Sequence, residues 1–190
     1  NLASASSEYF AMPSGYSDFL SGVTAYVVAK PTSTTNQARF FDFGNGPSSD
    51  NIMLNRSGSS ANIRYETYAG SSLLGFTSTT SPIVNNQNKI FGALHTGGTA
   101  GASTSATIFA NGKSEITGTA YVPNNITRTL NYIGRSNWVA DAYYNGEISE
   151  IILFNSNKSA DRLRIETYLA IKYGITLDQT SAQNYIASNG

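Results

Sequence analysis

Aromatic and hydrogen-bonding side chains are concentrated in residues 135–144, RSNWVADAYY, which include the single tryptophan of the chain. An aromatic ring offers an apolar platform, and the polar tips of tyrosine and tryptophan can also form hydrogen bonds. Amide and carboxylate groups beside such rings can bind hydroxyl groups, so this composition favours a carbohydrate-binding loop. The predicted ligand-binding residues are Arg135, Asn137, Trp138, Asp141, Tyr143 and Tyr144. The alternative is that Trp138 covers one edge of the fold, and strand alternation requires one of the two tyrosines to point inward.

Oxygen-bearing side chains are also grouped in residues 42–51, DFGNGPSSDN. Calcium binds six to eight oxygen ligands, which include carboxylates, amide carbonyls and backbone carbonyls. The candidate calcium ligands are Asp42, Asn45, Asp50 and Asn51, to which Asp141 would add a carboxylate if its loop lies at the same edge. The spacing matches no EF-hand loop, and the same residue types occur in ordinary turns.

The composition excludes several classes of protein. The chain has 190 residues, no cysteine, and twelve Lys and Arg residues that balance twelve Asp and Glu residues. Without a basic stripe we expect no nucleic-acid binding, and no segment is long and apolar enough for membrane insertion. Charged residues form only 13% of the chain, and Ser, Thr, Asn and Gly supply the polar surface, as in exported β proteins. Because the sequence begins at Asn1, we expect part of a larger exported protein.

Short apolar runs separated by Gly, Pro, Asn and Ser predict the strands that must position these loops. Residues 23–30 are almost continuously apolar, which predicts a central strand buried on both faces. Residues 39–43 and 62–68 alternate, which predicts strands with one buried face and one face open to water or ligand. Further strands are predicted at residues 89–94 and 130–134.

A hairpin and a helix complete the predicted elements. Asn111-Gly112 between residues 105–110 and 113–117 is typical of a two-residue type I′ turn. A helix is predicted over residues 160–173, with Ser159 as its N-cap and Gly174 as the residue that ends it. Arg162 and Glu166 are predicted to form an ion pair on this helix. Its apolar stripe is predicted to consist of Leu163, Thr167, Ala170 and Ile171.

Four blocks of sequence follow one another in the C-terminal half. They are Ile108-Phe109-Ala110-Asn111-Gly112-Lys113, then Ile133-Gly134-Arg135-Ser136, then Asn-Gly-Glu-Ile at the start of residues 145–155, then the Ser-capped segment 159–173. In this order the chain resembles laminin-G-like, concanavalin A-type jelly-roll domains, closely over residues 108–177 and more loosely before them. The ending YLAIKYGITL, residues 168–177, is similar to a bacterial version found in large secreted or cell-surface proteins.

The resemblance implies an all-β fold, a two-sheet antiparallel jelly-roll sandwich of roughly ten to fourteen strands with one short C-terminal helix. We expect the domain to span residues 1–177 and residues 178–190 to form a polar tail or linker to a following domain. The family setting implies an extracellular or cell-surface protein, in which such domains lie among other modules of adhesins and polysaccharide-degrading systems. The expected function is a non-catalytic module that binds a glycan or cell-surface ligand. The alternatives are a structural spacer domain of an adhesin, and a jelly-roll polysaccharide lyase or glycoside hydrolase.

Enzymes of similar fold carry motifs that this chain lacks. Laminarinase-type glucanases carry Glu-x-Asp-x-Glu or Glu-x-Asp-x-x-Glu on one strand, whereas Ser149 stands two residues after Glu147 here. Without a bulge, Glu147 and Glu150 would point to opposite faces of a strand. His95 is the only histidine and belongs to no Gln-x-His motif of the lyase type, so we interpret it as a structural or surface residue. We therefore predict that the protein is not an enzyme.

Overall fold

The structure, a computed structural model, describes residues 1–180 and 185. Two antiparallel sheets pack face to face, with one helix on the outside. The strands of the described residues are β1 (Phe10–Met12), β2 (Gly22–Pro31), β3 (Arg39–Gly44), β4 (Ile52–Arg56), β5 (Ile63–Ala69), β6 (Ser72–Thr77), β7 (Lys89–Thr96), β8 (Ser103–Ala110), β9 (Lys113–Tyr121), β10 (Leu130–Ile133) and β11 (Gly146–Phe154). The six-stranded sheet has the order β1-β10-β3-β4-β5-β6, and the five-stranded sheet has the order β11-β2-β7-β8-β9. The predicted jelly-roll sandwich with a short C-terminal helix is thus confirmed.

The core lies between the sheets and is built from the inward-facing side chains of every second strand position. Val23, Ala25 and Val27 of β2 face the opposite sheet and are fully buried. The rings of Phe40 in β3 and Phe91 in β7 stack across the interface with centroids 5.1 Å apart. This stacking fixes the position of β3, the strand that carries the centre of the candidate site.

The helix α1 (Arg162–Tyr173) covers the outer face of the five-stranded sheet. Its Leu169 and Ala170 belong to the same buried cluster as Tyr26 and Val28 of β2. This second cluster explains why β2 is buried on both faces, as its continuous apolar run predicts. No helix of residues 1–180 is long and apolar enough to cross a membrane.

The ends of α1 differ in how far the sequence predicted them. Gly174 adopts the left-handed conformation at φ 62°, and Arg162 pairs with Glu166 at 2.8 Å, both as predicted. The prediction that Ser159 caps the helix is wrong, because Ser159–Asp161 form a 3-10 turn with no side-chain cap and α1 begins at Arg162, two residues later than predicted. Ile171 is also wrongly placed in the buried stripe, since it is 71% exposed. The predicted tail, residues 178–190, lies largely outside the described residues.

The β8–β9 hairpin has the predicted turn, with Asn111 at φ 46° and Gly112 at φ 81°. Residues 39–43 of β3, in contrast, do not expose the predicted polar face, because every residue of β3 is buried. The outer face of β3 is covered by residues 135–144, which fold back across the six-stranded sheet.

A bulge in β11 corrects the prediction that Glu147 and Glu150 point to opposite faces. Glu147 is opposite Lys30 and Glu150 is opposite Val28, two positions on the same face of β2, because the register shifts between Ile148 and Glu150. The extra residue, Ser149, therefore brings both glutamates to the outer face of the five-stranded sheet.

Candidate functional site

The candidate site lies on the outer face of the six-stranded sheet. Register places Tyr132 of β10, Asp42 of β3, Met53 of β4 and Glu66 of β5 opposite one another in a single row. Because directly paired residues share a face, this row is the floor beneath residues 135–144. The loop begins at Gly134, whose N–H donates to the Phe40 carbonyl at 3.2 Å and whose carbonyl accepts from the Tyr144 N–H at 2.9 Å.

Asp42 anchors the loop to the sheet. Its Oδ2 accepts from the Asn137 backbone N–H at 2.8 Å, and its Oδ1 accepts from the Asn137 side chain at 2.9 Å and the Asn51 side chain at 2.8 Å. The carboxylate is completely buried, and burial raises its pKa although these hydrogen bonds oppose the change. Asp42, Asn51 and Asn137 are thus held by one another, and the structure corrects the placement of Asn137 among ligand-facing residues.

Asp141 closes the loop on itself and on the sheet. Its Oδ2 accepts from Arg39 at 2.8 Å and from the Ser136 hydroxyl at 2.8 Å, while Ser136 Oγ accepts from the Trp138 N–H at 3.0 Å. The Arg39 side chain is 5% exposed, so this ion pair is largely screened from water. Asp141 therefore has a structural role that fixes the loop conformation.

Trp138 lies over the sheet beside a buried cation. Its ring centroid is 5.6 Å from the Arg39 guanidinium and 5.7 Å from the Tyr68 ring. Below it, burial raises the pKa of the Glu66 carboxyl, an effect that Arg64 and Arg39 oppose and that Asp42 and Asp141 reinforce. The tryptophan therefore covers a charged layer and keeps part of its ring at the surface.

The other side of the loop forms an aromatic surface around Arg135. The Arg135 guanidinium is 4.7 Å from the Tyr9 ring centroid and 4.5 Å from the Tyr132 ring centroid. Tyr9 and Tyr132 meet edge to face at 5.5 Å, and Tyr143 lies 6.0 Å from Tyr9. We call these four residues the Tyr9–Arg135 surface. Tyr9 is 38% exposed and the other three residues are half-buried, so part of each can contact a ligand.

Only part of this surface could be found from the sequence. Arg135 and Tyr143 are among the predicted ligand-binding residues, and both lie near Tyr9. Tyr132 was missed although it immediately precedes Ile133-Gly134, where alternation could have assigned it to the outer face. Tyr9 gave no signal in the sequence, since it comes near Tyr132 only because β1 pairs with β10, where Phe10, Ala11 and Met12 lie opposite Ile133, Tyr132 and Asn131.

Tyr144 does not belong to the surface. It is 2% exposed, its ring packs 5.5 Å from Phe40, and its hydroxyl donates to the Glu147 carbonyl at 3.1 Å. Alternation required one of the two adjacent tyrosines to point inward, and the structure assigns that position to Tyr144. It is therefore removed from the predicted ligand-binding residues.

The predicted calcium ligands are engaged in three different hydrogen-bonded groups. Asp42 and Asn51 bind each other, whereas Asn45 Oδ1 accepts from the Thr129 N–H and hydroxyl, both at 2.9 Å. Asp50 Oδ1 accepts from the Gly70 N–H at 2.8 Å and the Asn124 side chain at 2.7 Å. Within residues 1–180 and 185, no cluster of three His, Asp or Glu side chains could hold a metal ion. The side-chain oxygens of this turn are engaged in hydrogen bonds within the protein, and calcium binding stays a prediction.

The residues that enzymes of this fold would need lie in three different parts of the sandwich, and Glu147 and Glu150, which share one face, are each held in an ion pair. His95 points into the core, where its pKa is lowered to about 4 by burial, while Arg64 and Glu66 pair at 3.0 Å on the outer face of β5. Glu147 pairs with Lys30 at 3.2 Å, and Glu150 pairs with Lys172 at 2.9 Å. Partial burial tends to raise the pKa of Glu150, but hydrogen bonds from Lys172, Tyr173 and Tyr168 outweigh it and lower the pKa. A carboxyl group held as an anion is a poor general acid at neutral pH.

An apolar cavity of about 300 Å³ opens between β1 and β11, at the side of the sandwich. Phe10, Met12, Ile133 and Ile148 are among its lining residues, and Phe10 is 59% exposed. The lining has few hydrogen-bonding groups, so the cavity does not suit a sugar.

Two antiparallel sheets packed face to face, with one short C-terminal helix among the described residues, define a concanavalin A-like jelly-roll domain. The sequence matches the concanavalin A-like lectin/glucanases superfamily over residues 4–164, and the chain belongs to it. Residues 161–190 match a domain of unknown function, DUF8202. No curated protein matches the chain in sequence.

Several solved structures share the fold. The CBM40 of the Ruminococcus gnavus IT-sialidase, bound to α2,3-sialyllactose, aligns with TM-score 0.59 and 13% identity over 81% of this chain and 92% of its own. Domain 4 of a GH43 extracellular arabinanase from Geobacillus stearothermophilus, in complex with arabinotriose, gives TM-score 0.61 and 16% identity over 81% and 69%. Domains LG4-5 of the mouse laminin α1 chain give TM-score 0.57 and 9% identity over 78% and 40%. At these identities the similarity concerns the fold.

Proposed function

We propose that this domain is a non-catalytic carbohydrate-binding module of an extracellular or cell-surface bacterial protein with several domains, such as an adhesin. The observation that carries the proposal is the Tyr9–Arg135 surface, where three tyrosine rings and one guanidinium share an accessible patch. Rings of this kind stack on the C–H faces of sugars, and the hydroxyl and guanidinium groups at their edges bind sugar hydroxyls.

The buried network beneath the loop supports this assignment. Asp42, Asn137 and Asp141 use their polar groups to hold the loop against the sheet, so the loop needs little ordering when a ligand arrives. A preorganised loop loses less conformational entropy on binding. The fold relatives that hold sialyllactose and arabinotriose support the same class of ligand.

The separation of the ionisable side chains supports a role without catalysis. His95 is in the core, the Arg64–Glu66 pair lies on one sheet, and the Glu147 and Glu150 ion pairs lie on the other. General acid and base catalysis needs such groups within reach of one bond of the substrate. Binding without turnover is therefore the expected behaviour.

Glycan-array screening tests the proposal. The labelled domain is applied with Ca²⁺ and with a chelator, and hits are measured by calorimetry. Tyr9→Ala and Tyr143→Ala should each weaken binding about tenfold, because each removes a ring from the contact area. Tyr168→Ala on α1 is the matched control, since Tyr168 is 46% exposed but lies on the five-stranded side.

The outcomes separate the rival functions. Binding that survives the control change and falls with the other two supports the module. Equal binding in the presence of the chelator would show that glycan binding does not need the predicted calcium site. A folded domain that binds no glycan under either condition would instead support the spacer domain of an adhesin, and turnover of laminarin or alginate would support an enzyme.

A further inference from the structure

We propose that the Tyr9–Arg135 surface selects sugars that carry a carboxylate, with the Arg135 guanidinium as the group that binds it. This inference rests on the proposed function, because it names the ligand class of the same surface. It is carried by the pairing of the charged groups around the loop, by the position of Arg135 between two rings, and by the fixed backbone below it.

Arg135 differs from the neighbouring arginines in its partners. Arg39 pairs with Asp141 at 2.8 Å, and Arg64 pairs with Glu66 at 3.0 Å. Within residues 1–180 and 185, Arg135 has no carboxylate partner, and its recorded contacts are the rings of Tyr9 and Tyr132. The surface therefore presents a cation whose charge a ligand can neutralise.

The acidic side chains beside the surface are already engaged. Glu8, next to Tyr9 in sequence, accepts from the Ala3 N–H at 2.8 Å. Asp141 accepts from Arg39 and Ser136, and Asp42 accepts from Asn137 and Asn51. None of these acids uses Arg135 as its donor in the described residues, so an incoming carboxylate would not have to displace one of them.

The two rings hold the guanidinium without consuming its hydrogen-bond donors. Tyr9 and Tyr132 stand at 88° to each other, and the guanidinium lies in the corner between them at 4.7 Å and 4.5 Å from their centroids. A cation–π contact uses the charge of the guanidinium and leaves its five N–H groups to bind other acceptors. A planar carboxylate can accept two of these N–H groups in parallel, which a hydroxyl group cannot do.

The backbone below Arg135 is fixed by close packing. Gly134 has φ 80°, and a Cβ at this position would lie 2.5 Å from Leu2 Cδ1. The carbonyl of Gly134 also accepts from the Tyr144 N–H at 2.9 Å. Because the base and the tip of Arg135 are both held, little side-chain entropy remains to be lost when a carboxylate binds.

The test compares acidic sugars with neutral ones of the same skeleton. Calorimetry measures 3′-sialyllactose against lactose, and digalacturonate against galactobiose, so that the sialic and uronic sources of a carboxylate are separated. An acidic sugar should bind on the order of ten- to hundredfold more tightly than its neutral counterpart, as expected for paired charge-assisted hydrogen bonds. Binding of the acidic sugar should weaken when NaCl is raised to 0.5 M, since the paired charges are partly exposed.

Two substitutions assign the selectivity to the guanidinium. Arg135→Gln should remove the preference and retain the weak binding of neutral sugar, and Arg135→Lys should keep only part of the preference because it cannot form the bidentate pair. Arg164→Gln, which removes an exposed arginine on α1, is the matched control and should change nothing. Thermal melting and circular dichroism establish that each variant remains folded.

Each outcome decides between the two proposals. If the domain prefers either acidic sugar and Arg135→Gln abolishes that preference, both the carbohydrate-binding function and the selectivity are supported. Equal affinity for acidic and neutral sugars, or a preference that survives Arg135→Gln, overturns the selectivity and leaves the carbohydrate-binding function standing. A folded domain that binds none of the four sugars, on a glycan array that is also blank, overturns both.

Discussion

His95 should make the stability of the fold depend on pH through a single buried imidazole. It is the only histidine of the chain and is fully buried between the sheets. Its Nδ1 lies 3.1 Å from the Tyr65 hydroxyl, and its Nε2 lies 3.0 Å from Thr104 Oγ1. Thr104 donates its one hydroxyl hydrogen to the Thr96 carbonyl at 2.6 Å, so it must accept from His95 Nε2–H. In the neutral ring with its proton on Nε2, Nδ1 is the acceptor for the Tyr65 hydroxyl.

Protonation would place a hydrogen on Nδ1 where Tyr65 already donates. Burial lowers the pKa of His95 from 6.5 to about 4, although a hydrogen bond to the Ala120 backbone opposes this change. The folded state therefore binds the proton less readily than the unfolded state does. The contribution of neutral His95 to stability is complete above pH 6.5 and is lost as the pH falls to 4. The difference of about 2.5 pKa units corresponds to about 3 kcal/mol in the free energy of unfolding.

Other buried groups change the free energy of unfolding in the opposite direction as the pH falls, so the assay must isolate the contribution of the imidazole. Burial raises the pKa values of Asp42, Glu66 and Glu166, and these carboxyls stabilise the folded state more as the pH falls. Urea unfolding of the wild type and His95→Gln, followed by circular dichroism from pH 7.5 to pH 4, cancels their contribution by difference. We expect the wild type to be the more stable at pH 7.5, and its advantage to shrink by about 3 kcal/mol at pH 4. An advantage that stays constant over this range, or an NMR titration of the folded imidazole near 6.5, would refute the reasoning.

Three further predictions concern the loop and its anchors. Asp42→Asn replaces an acceptor oxygen by an amide NH₂ group that faces the Asn137 donors. It should lower the free energy of unfolding by about 3 kcal/mol in urea titrations and speed proteolytic cleavage within residues 135–144. Unchanged stability would contradict the role of Asp42 as the anchor of the loop. Gly134→Ala should cost about 2 kcal/mol because of its φ of 80° and the contact with Leu2, and more than Gly101→Ala, which has a similar φ of 74° and ordinary contacts of 3.7 Å. Tyr144→Phe should cost about 1 kcal/mol by losing its buried hydrogen bond, whereas Tyr143→Phe should stay within about 0.5 kcal/mol; equal effects would argue against the inward position of Tyr144.

The parts of the fold that the sequence predicted depend on local chemistry. The continuous apolar run of residues 23–30 could only belong to a strand buried on both faces, and α1 provides the second covering layer. Asn111-Gly112 predicted a tight turn and Gly174 predicted the end of a helix, because glycine readily adopts the positive φ angles of these positions. Both glycines have positive φ angles in the structure. Each of these predictions used residues that are neighbours in sequence.

The failures came from interactions between distant segments. Residues 39–43 read as a strand with a solvent-facing side, because the sequence does not reveal that residues 135–144 fold over it. The bulge at Ser149 is likewise set by pairing with β2, and it brings Glu147 and Glu150 to one face although their spacing predicts opposite faces. Alternation is reliable for a regular strand and fails where the register shifts.

The candidate site has the same division between local and distant causes. Asn137 and Asp141 have the residue types of a sugar-binding loop, but those types also serve as buried hydrogen-bond partners, and the sequence alone cannot separate the two roles. Their partners Asp42 and Arg39 are 95 and 102 residues away in the sequence. Once these polar groups are assigned to anchoring the loop, the charged group of the loop that has no carboxylate partner in the described residues is the guanidinium of Arg135, which lies between the rings of Tyr9 and Tyr132. An acidic sugar should therefore bind where the internal network leaves a cation unpaired, and the aromatic residue types alone do not determine its position.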